Sequence, residues 1–353
     1  MKTSRFATIA VLSVVVAGGV VVPLAGAAPY PAIYAFGDSL SDAGNFSAST
    51  LGLVPAPPYS GGRFTNGPVW VQFLGALVRP GPIGPSLRGG TDFAFSLSET
   101  GSTAVHQENA RDLPAQFSQF VSQVPAPQPG ALFTVWAGAN DLLDILSTPN
   151  LTPAAAAGDV LQAVANVDAF VSNLASRGAK NLLVLNEPNL GLTPSILREG
   201  SGPSQEASVL TQWFNGSLAS SLDSLAAADA LNLDMVDTYS LLDSAIANPG
   251  AYGFSDVTDP CWTGNYFGTG GSLCAPTTAG QDSHLFWDGL HPTERGHAYV
   301  ALAAEAALEA DPADPVPEPT TLSVLVMGLI GFALLNGAVR SRSGRGDSRG
   351  TLR

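Results

Sequence analysis

In "FGDSLSDAGN", residues 36–45, Ser39 follows a short apolar run and is enclosed by small, polar, turn-forming residues. A serine hydroxyl is a weak nucleophile at neutral pH, so it needs a base within hydrogen-bond reach and a third group to orient that base. The candidates for the base are His106, His284, His291 and His297. In "FWDGLHPTERGH" Asp288 precedes His291 by three residues, close enough for the carboxylate to fold back on the imidazole, hold its tautomer and stabilise the imidazolium. Plainer uses exist: Ser39 could begin a helix, and Asp288 could cap the helix that follows, leaving His291 an ordinary polar loop residue. Asp38, Asp42 and Asn45 could hold the serine turn, although such residues more often cap the next helix. His297 is expected to pack against the turn, His106 and His284 carry no pattern, and Trp70, Trp136 and Trp287 read as core or rim aromatics. Trp287 is near enough to Asp288 to touch a substrate. The chain's Gly-x-Ser-x-Gly, "GDSRG" at 346–350, lies in a basic tail with no strand before it and no helix after it, so it fails as a nucleophile elbow.

The elements that must carry these residues alternate. Short β-rich runs, "AIYAF", "ALFTVWA", "NLLVLN" and "LDMVDT", are separated by longer helical stretches: "LPAQFSQFVSQV", "AAAAGDVLQAVANVDAFVSNLASR" and "SQEASVLTQWFNGSLASSLDSLAAADAL". A final helix is expected in "TERGHAYVALAAEAAL". That order predicts a parallel sheet covered by helices, with right-handed crossovers gathering the strand C-termini on one edge. Ser39 lies past the first strand and Asn140 past the second. Residues 51–68 and 250–285, rich in Gly, Pro and aromatics, read as ordered loops over one face, and loops of that length are usually functional.

Residues 1–27 read as a secretory signal peptide: Lys2 and Arg5, an apolar run, then Ala25-Gly26-Ala27. One large α/β domain is assigned to 28–310, a Pro-rich linker to 311–321, an uncharged hydrophobic span to 322–339 and a basic tail to 340–353. The span is about the minimum for a membrane helix, and the arginines after it place the bulk of the chain on the outer side. Pro317-Glu318-Pro319, the span and the arginines together resemble the PEP-CTERM sorting signal of Gram-negative bacteria. That resemblance implies an exosortase-type processing partner and a transient membrane anchor on an extracellular or cell-surface protein; a plain C-terminal anchor is the simpler alternative. Between 28 and 339 lie 8 of the 15 basic residues and 28 of the 29 acidic ones, so net charge draws this region neither to nucleic acid nor to anionic headgroups. Cys261 and Cys274, in an exported chain, are expected to form a disulfide closing a short loop. Neither has a ligand-spaced partner for a metal.

"FGDSLSDAGN", "GAND" at 138–141 and "DGLHPT" at 288–293, with "GRFTNGPVWVQFL" and "NLGLTP" between them, resemble the GDSL lipase/esterase family, the SGNH hydrolases, from about residue 31 to 308. The resemblance implies a three-layer α/β/α, flavodoxin-like fold and ester hydrolysis without metal or organic cofactor. It makes Ser39 the nucleophile, His291 the base and Asp288 the orienting carboxylate. The oxyanion would be held by the Asn140 side chain and the Ser39 N–H. The family's third donor is a glycine N–H, yet "TDFAFSLSETG" places Ser96 and Leu97 where glycines are expected. The Leu97 N–H survives as a candidate donor, but its side chain adds bulk beside the acyl pocket and is expected to forbid the positive φ that glycine takes easily. The substrate is therefore expected to be a lipid, a short acyl ester or an acetylated polysaccharide. A catalytically weak exopolysaccharide-associated binding or matrix protein is the rival reading.

Overall fold

The computed structural model describes residues 30–78 and 83–309. The expected leader, the Pro-rich linker, the hydrophobic span and the basic tail with its "GDSRG" lie outside the described residues.

The sheet is built from β1 (Ile33–Gly37), β2 (Leu132–Trp136), β3 (Asn181–Leu185) and β4 (Asn232–Val236), all parallel and side by side in chain order. Strands buried on both faces read as continuous apolar runs, and alternate residues divide between two cores. Tyr34, Phe36, Phe133, Val135, Leu182 and Val184 face one core; Ile33, Ala35, Leu132, Trp136, Leu183 and Leu185 face the other. The first core is closed by α3 (Leu113–Gln123), α4 (Ala139–Ser147), α5 (Pro153–Ser176) and α7 (Ser201–Asp229). The second is closed by α2 (Trp70–Val78) and α10 (Glu294–Glu309). The remaining helices are short: α1 (Asn45–Ser49), α6 (Pro194–Glu199), α8 (Thr238–Ala247) and α9 (Thr278–Gln281). The result is the expected three-layer α/β/α arrangement.

Local signals account for the longest elements. Thr152 caps α5 by accepting the Ala155 N–H at 3.2 Å, and Pro153 occupies the first helical position, where its missing N–H costs nothing. α5 has the length and apolar composition of a membrane span, but Val160, Val164, Phe170 and Leu174 bury one face of it in the first core. At the centre of that core Phe36 meets the rings of Phe93, Phe120 and Phe170 at centroid distances of 5.5, 5.4 and 5.1 Å. Truncating a ring so enclosed typically costs about 3–5 kcal/mol.

One sheet component lies beyond the strands expected from sequence. Residues 91–95 run parallel to the free edge of β1, held by Ala35 N–H to Thr91 O at 3.1 Å, Phe93 N–H to Ala35 O at 2.7 Å and Phe95 N–H to Gly37 O at 3.0 Å. This fifth, irregular edge carries Ser96 and Leu97 to the same end of the sheet as Ser39.

Candidate active site

β1 stops at Gly37, whose φ is +137° and whose added Cβ would stand 1.9 Å from the Trp136 carbonyl oxygen. The chain must turn there. Asp38 secures the turn: its N–H donates to Trp136 O at 3.3 Å, its carboxylate accepts the Leu40 N–H at 2.9 Å, and its carbonyl accepts the N–H groups of Ser41 and Asp42. Ser39 is left at the tip, and among the described residues its own N–H donates to no protein acceptor. β2 ends in the same way at Gly138, φ +140°, where a Cβ would meet the Phe214 ring at 2.4 Å. α4 then starts at once and presents Asn140.

The third component arrives from the far end of the chain. His291 Nε2 lies 2.8 Å from Ser39 Oγ, across 252 positions of sequence. His291 Nδ1 lies 2.9 and 2.8 Å from the two oxygens of Asp288. Asp288 does not cap α10. Its Oδ1 accepts the N–H groups of Leu290 and His291, both at 2.9 Å, in a turn that fixes the imidazole over the serine. Burial pushes the Asp288 carboxyl up, but the His291 charge and these hydrogen bonds outweigh it and hold the group below the usual carboxylate value. Burial likewise pushes the His291 imidazolium down, and the Asp288 carboxylate outweighs that, keeping it above the ordinary histidine value. Each partner thus favours the charged form of the other.

The three residues singled out for an oxyanion, Ser39, Leu97 and Asn140, all line one pocket. Asn140 Nδ2 donates one hydrogen to Ser98 O at 2.7 Å, which orients the amide and leaves its second hydrogen available. The Leu97 N–H donates to no acceptor among the described residues. Leu97 departs from expectation in one respect: it adopts φ +64°, the left-handed region its side chain was expected to forbid. Ser96 shows how this is enforced. Its N–H and hydroxyl both donate to Asp42 Oδ2 at 2.8 Å, clamping the chain immediately before Leu97. The leucine side chain is half exposed and forms part of the pocket wall.

Asp42 serves both proposed uses. It accepts N–H groups of Gly44, Asn45 and Phe46 at the start of α1 and also ties that start to Ser96. Asn45 is a bridge rather than a cap: its amide donates to the carbonyls of Asp92 and Ala94, at 2.8 and 2.9 Å. His297 is packed as expected, its Nδ1 accepting the Trp70 N–H at 3.3 Å, and burial, then the charges of His291 and Arg63, push its pKa down to about 3. Trp287 is wholly buried with Phe46, Tyr59 and Phe64 and does not line the pocket, so it is no substrate contact. The expected disulfide joins Cys261 and Cys274.

Several contributors lay beyond sequence reasoning. Tyr59, in the Gly/Pro-rich loop, donates its hydroxyl to Asp288 Oδ2 at 2.9 Å across 229 positions. From the same loop Thr65 donates to Pro292 O at 2.9 Å and Asn66 accepts the Glu294 N–H at 2.7 Å, so 51–68 braces the histidine turn. Glu187, just past β3, is fully buried with neither carboxylate oxygen hydrogen-bonded. Burial, and then the charges of Asp38 and Asp141, hold it well above its usual value. Glu99, His106 and Asp144 bring one potential metal donor each within 4.8 Å of one another. Both His106 nitrogens are already engaged there, by Glu99 at 2.7 Å and Asp112 at 2.8 Å.

From Ser39 a mainly apolar pocket runs between α8 and α10, walled by Leu97, Leu143, Leu190, Tyr266, Phe286 and Val300 among others. A serine hydroxyl in contact with an imidazole that is itself held by a carboxylate, at the C-terminal edge of a parallel sheet, defines a serine hydrolase on an α/β fold. More narrowly, residues 33–304 match the family GDSL-like Lipase/Acylhydrolase, and the chain belongs to it: it is a carboxylic ester hydrolase. A phosphatidylcholine-sterol acyltransferase of Aeromonas hydrophila is 27% identical over 318 residues, covering 78% of this chain and 90% of that protein. An Arabidopsis thaliana GDSL esterase/lipase is 28% identical over 320 residues, covering 77% and 78%. Among solved structures, an extracellular lipase from Streptomyces rimosus aligns with a TM-score of 0.39 at 17% identity, covering 78% of this chain and 99% of that one.

Proposed function

We propose that the protein hydrolyses esters of apolar acyl chains through an acyl-enzyme on Ser39. The observation that carries this is the contact of His291 Nε2 with Ser39 Oγ at 2.8 Å, made while Asp288 holds the opposite nitrogen. As Ser39 Oγ bonds to the substrate carbonyl carbon, its proton passes to His291 Nε2 and the carbonyl oxygen becomes an alkoxide facing the N–H groups of Ser39, Leu97 and Asn140. Collapse breaks the bond to the alcohol, which leaves with the proton held by His291. The imidazole then takes a proton from water, whose oxygen attacks the acyl carbon, and the acid departs as Ser39 recovers its hydrogen. A donor of this kind typically contributes about 3–4 kcal/mol to the transition state.

The apolar walls favour an acyl chain over the acetyl group of a polysaccharide, and the name of the Aeromonas relative, a phosphatidylcholine-sterol acyltransferase, points the same way. Export is part of the proposal: the leader-like residues 1–27 and the disulfide support it, and the tail supports transient anchoring and processing by an exosortase-type enzyme. The test is a profile of p-nitrophenyl esters from acetyl to longer acyl chains. Hydrolysis that persists or rises with chain length, is abolished in Ser39→Ala and is blocked by an organophosphate bound to Ser39 is expected. Wild-type protein that releases no nitrophenol and takes no label would overturn the proposal and leave the binding-protein reading.

A further inference from the structure

The disulfide encloses a hairpin, 261–274, that is built directly onto the catalytic turn. Cys261 N–H donates to Phe286 O at 3.0 Å and Trp262 N–H to Trp287 O, so the hairpin continues the strand-like segment leading into Asp288. Tyr266, inside the hairpin, lines the pocket beside His291, with ring centroids 6.3 Å apart. Its neighbour Phe267 points outward and is 67% exposed.

A second loop meets this hairpin at its tip. Ala56 N–H donates to Tyr266 O at 2.9 Å, and a Cβ on Gly268 would come within 2.0 Å of Pro57 O, so the two backbones are in close contact. The same loop carries Leu51 and Leu53, exposed by 90% and 69%. Isolated exposed leucines need no explanation, but these lie on a loop joined by backbone contact to the hairpin that carries Phe267, and Tyr266 of that hairpin lines the apolar pocket. The two segments are unusual for so acidic a chain: they contain no Asp, Glu, Lys or Arg between 43 and 62, nor between 260 and 281. A protein partner would ordinarily meet a polar rim that includes charge, and anionic headgroups would be repelled by the acidic excess elsewhere. A surface without net charge, presenting acyl chains, matches both the lip and the pocket behind it.

We propose that Leu51, Leu53 and Phe267 form a lip that seats this hydrolase on an electrically neutral lipid surface, with the acyl pocket opening onto it. The inference rests on the Ser39 esterase reading for its purpose but is measured separately from it. The lip is rigid, since the disulfide, the backbone contact with Ala56 and the bonds to Phe286 and Trp287 hold it in place. It therefore docks without a moving cover.

The test uses the full chain with a nitroxide attached at Leu53→Cys or Phe267→Cys, and at Leu161→Cys on α5 as a control half exposed far along the chain. Local accessibility is insensitive to whatever else tethers the chain. On adding phosphatidylcholine vesicles, collision with a nickel chelate should fall at least threefold at 53 and 267, collision with oxygen should rise, and 161 should stay unchanged. The Leu53→Ser/Phe267→Ser variant should lose at least tenfold in rate on phosphatidylcholine vesicles while keeping p-nitrophenyl acetate hydrolysis within twofold. Unchanged accessibility at both positions would overturn the lip even if the esterase works. So would the same protection appearing without lipid as protein concentration rises, which would mark a contact between copies. Protection with no hydrolysis of any ester would instead uphold the lip and remove the esterase reading.

Discussion

Leu97 offers a test in which two familiar effects oppose each other. At φ +64° an L-residue carries a left-handed penalty of about 1–2 kcal/mol, which glycine escapes. Glycine in turn loses about 0.4–1 kcal/mol relative to alanine, because its unfolded chain has more freedom. Replacing Leu97 by alanine or by glycine removes much the same partly buried side chain, so the contrast between the two variants isolates the backbone. Leu97→Gly should be more stable than Leu97→Ala by about 0.6–1 kcal/mol, from the lower and the upper ends of those ranges taken in pairs, the reverse of the order at an ordinary position. For a domain of this size that is a melting-temperature difference of about 1–4 °C by calorimetry. Both variants keep the backbone N–H, so turnover of p-nitrophenyl acetate should stay within a few-fold of wild type, while acyl-length preference should broaden as the pocket wall recedes. If Leu97→Ala melts at or above Leu97→Gly, the left-handed turn beside Ser39 is wrong.

Asn140→Ala should lower kcat by about 10²–10³ with KM little changed, as steady-state kinetics would record. Because only neutral His291 can take the serine proton, the acid limb of kcat/KM should lie above pH 6.5; Asp288→Asn removes the carboxylate that raises it and should move the limb down while cutting kcat. Cys261→Ser/Cys274→Ser should cost about 3 kcal/mol in a denaturant titration, from the loop closure that the cross-link no longer supplies. Stability should fall between pH 7.5 and 9. Glu99, raised to about 9, binds more protons folded than unfolded across that window and the raised Asp92 and Glu187 act in the same direction, whereas the lowered groups Asp288, Asp256 and His297 are deprotonated in both states there. A melting temperature that rises steadily over that range would contradict the burial of these acids.

How far the site could be read from sequence follows from how local each of its determinants is. The four strands were legible because burial on both faces demands uninterrupted apolar runs, and "ALFTVWA" admits little else. Asp288 and His291 were legible through the family resemblance, because a carboxylate three residues before an imidazole can equally well cap the helix that follows. Tyr59 was not: its hydroxyl reaches Asp288 from a loop whose conformation is set by contacts with Tyr266, Phe64 and Trp287, all distant in sequence or irregular in structure. The edge segment 91–95 escaped for a related reason. "TDFAF" is short, begins with a threonine and a buried aspartate, and joins the sheet through only one side, so no period announces it. Trp287 is core, as read, and its alternative use as a substrate contact fails because adjacency to Asp288 in sequence says nothing about which side of a turn an indole occupies.

Leu97 shows where residue-by-residue expectation fails. A leucine in place of a glycine argues against a left-handed turn when the residue is weighed alone, since the penalty is of order 1–2 kcal/mol. The turn is decided elsewhere. Ser96 donates twice to Asp42, Asp42 also organises the start of α1, and Asn45 fastens the edge segment through Asp92 and Ala94. Each buried hydrogen bond to a carboxylate contributes roughly 1.5–3 kcal/mol, so the two from Ser96 alone exceed the backbone penalty. The serine that displaced one expected glycine thereby supplies the clamp that lets its neighbour displace another, and the Leu97 N–H stays free.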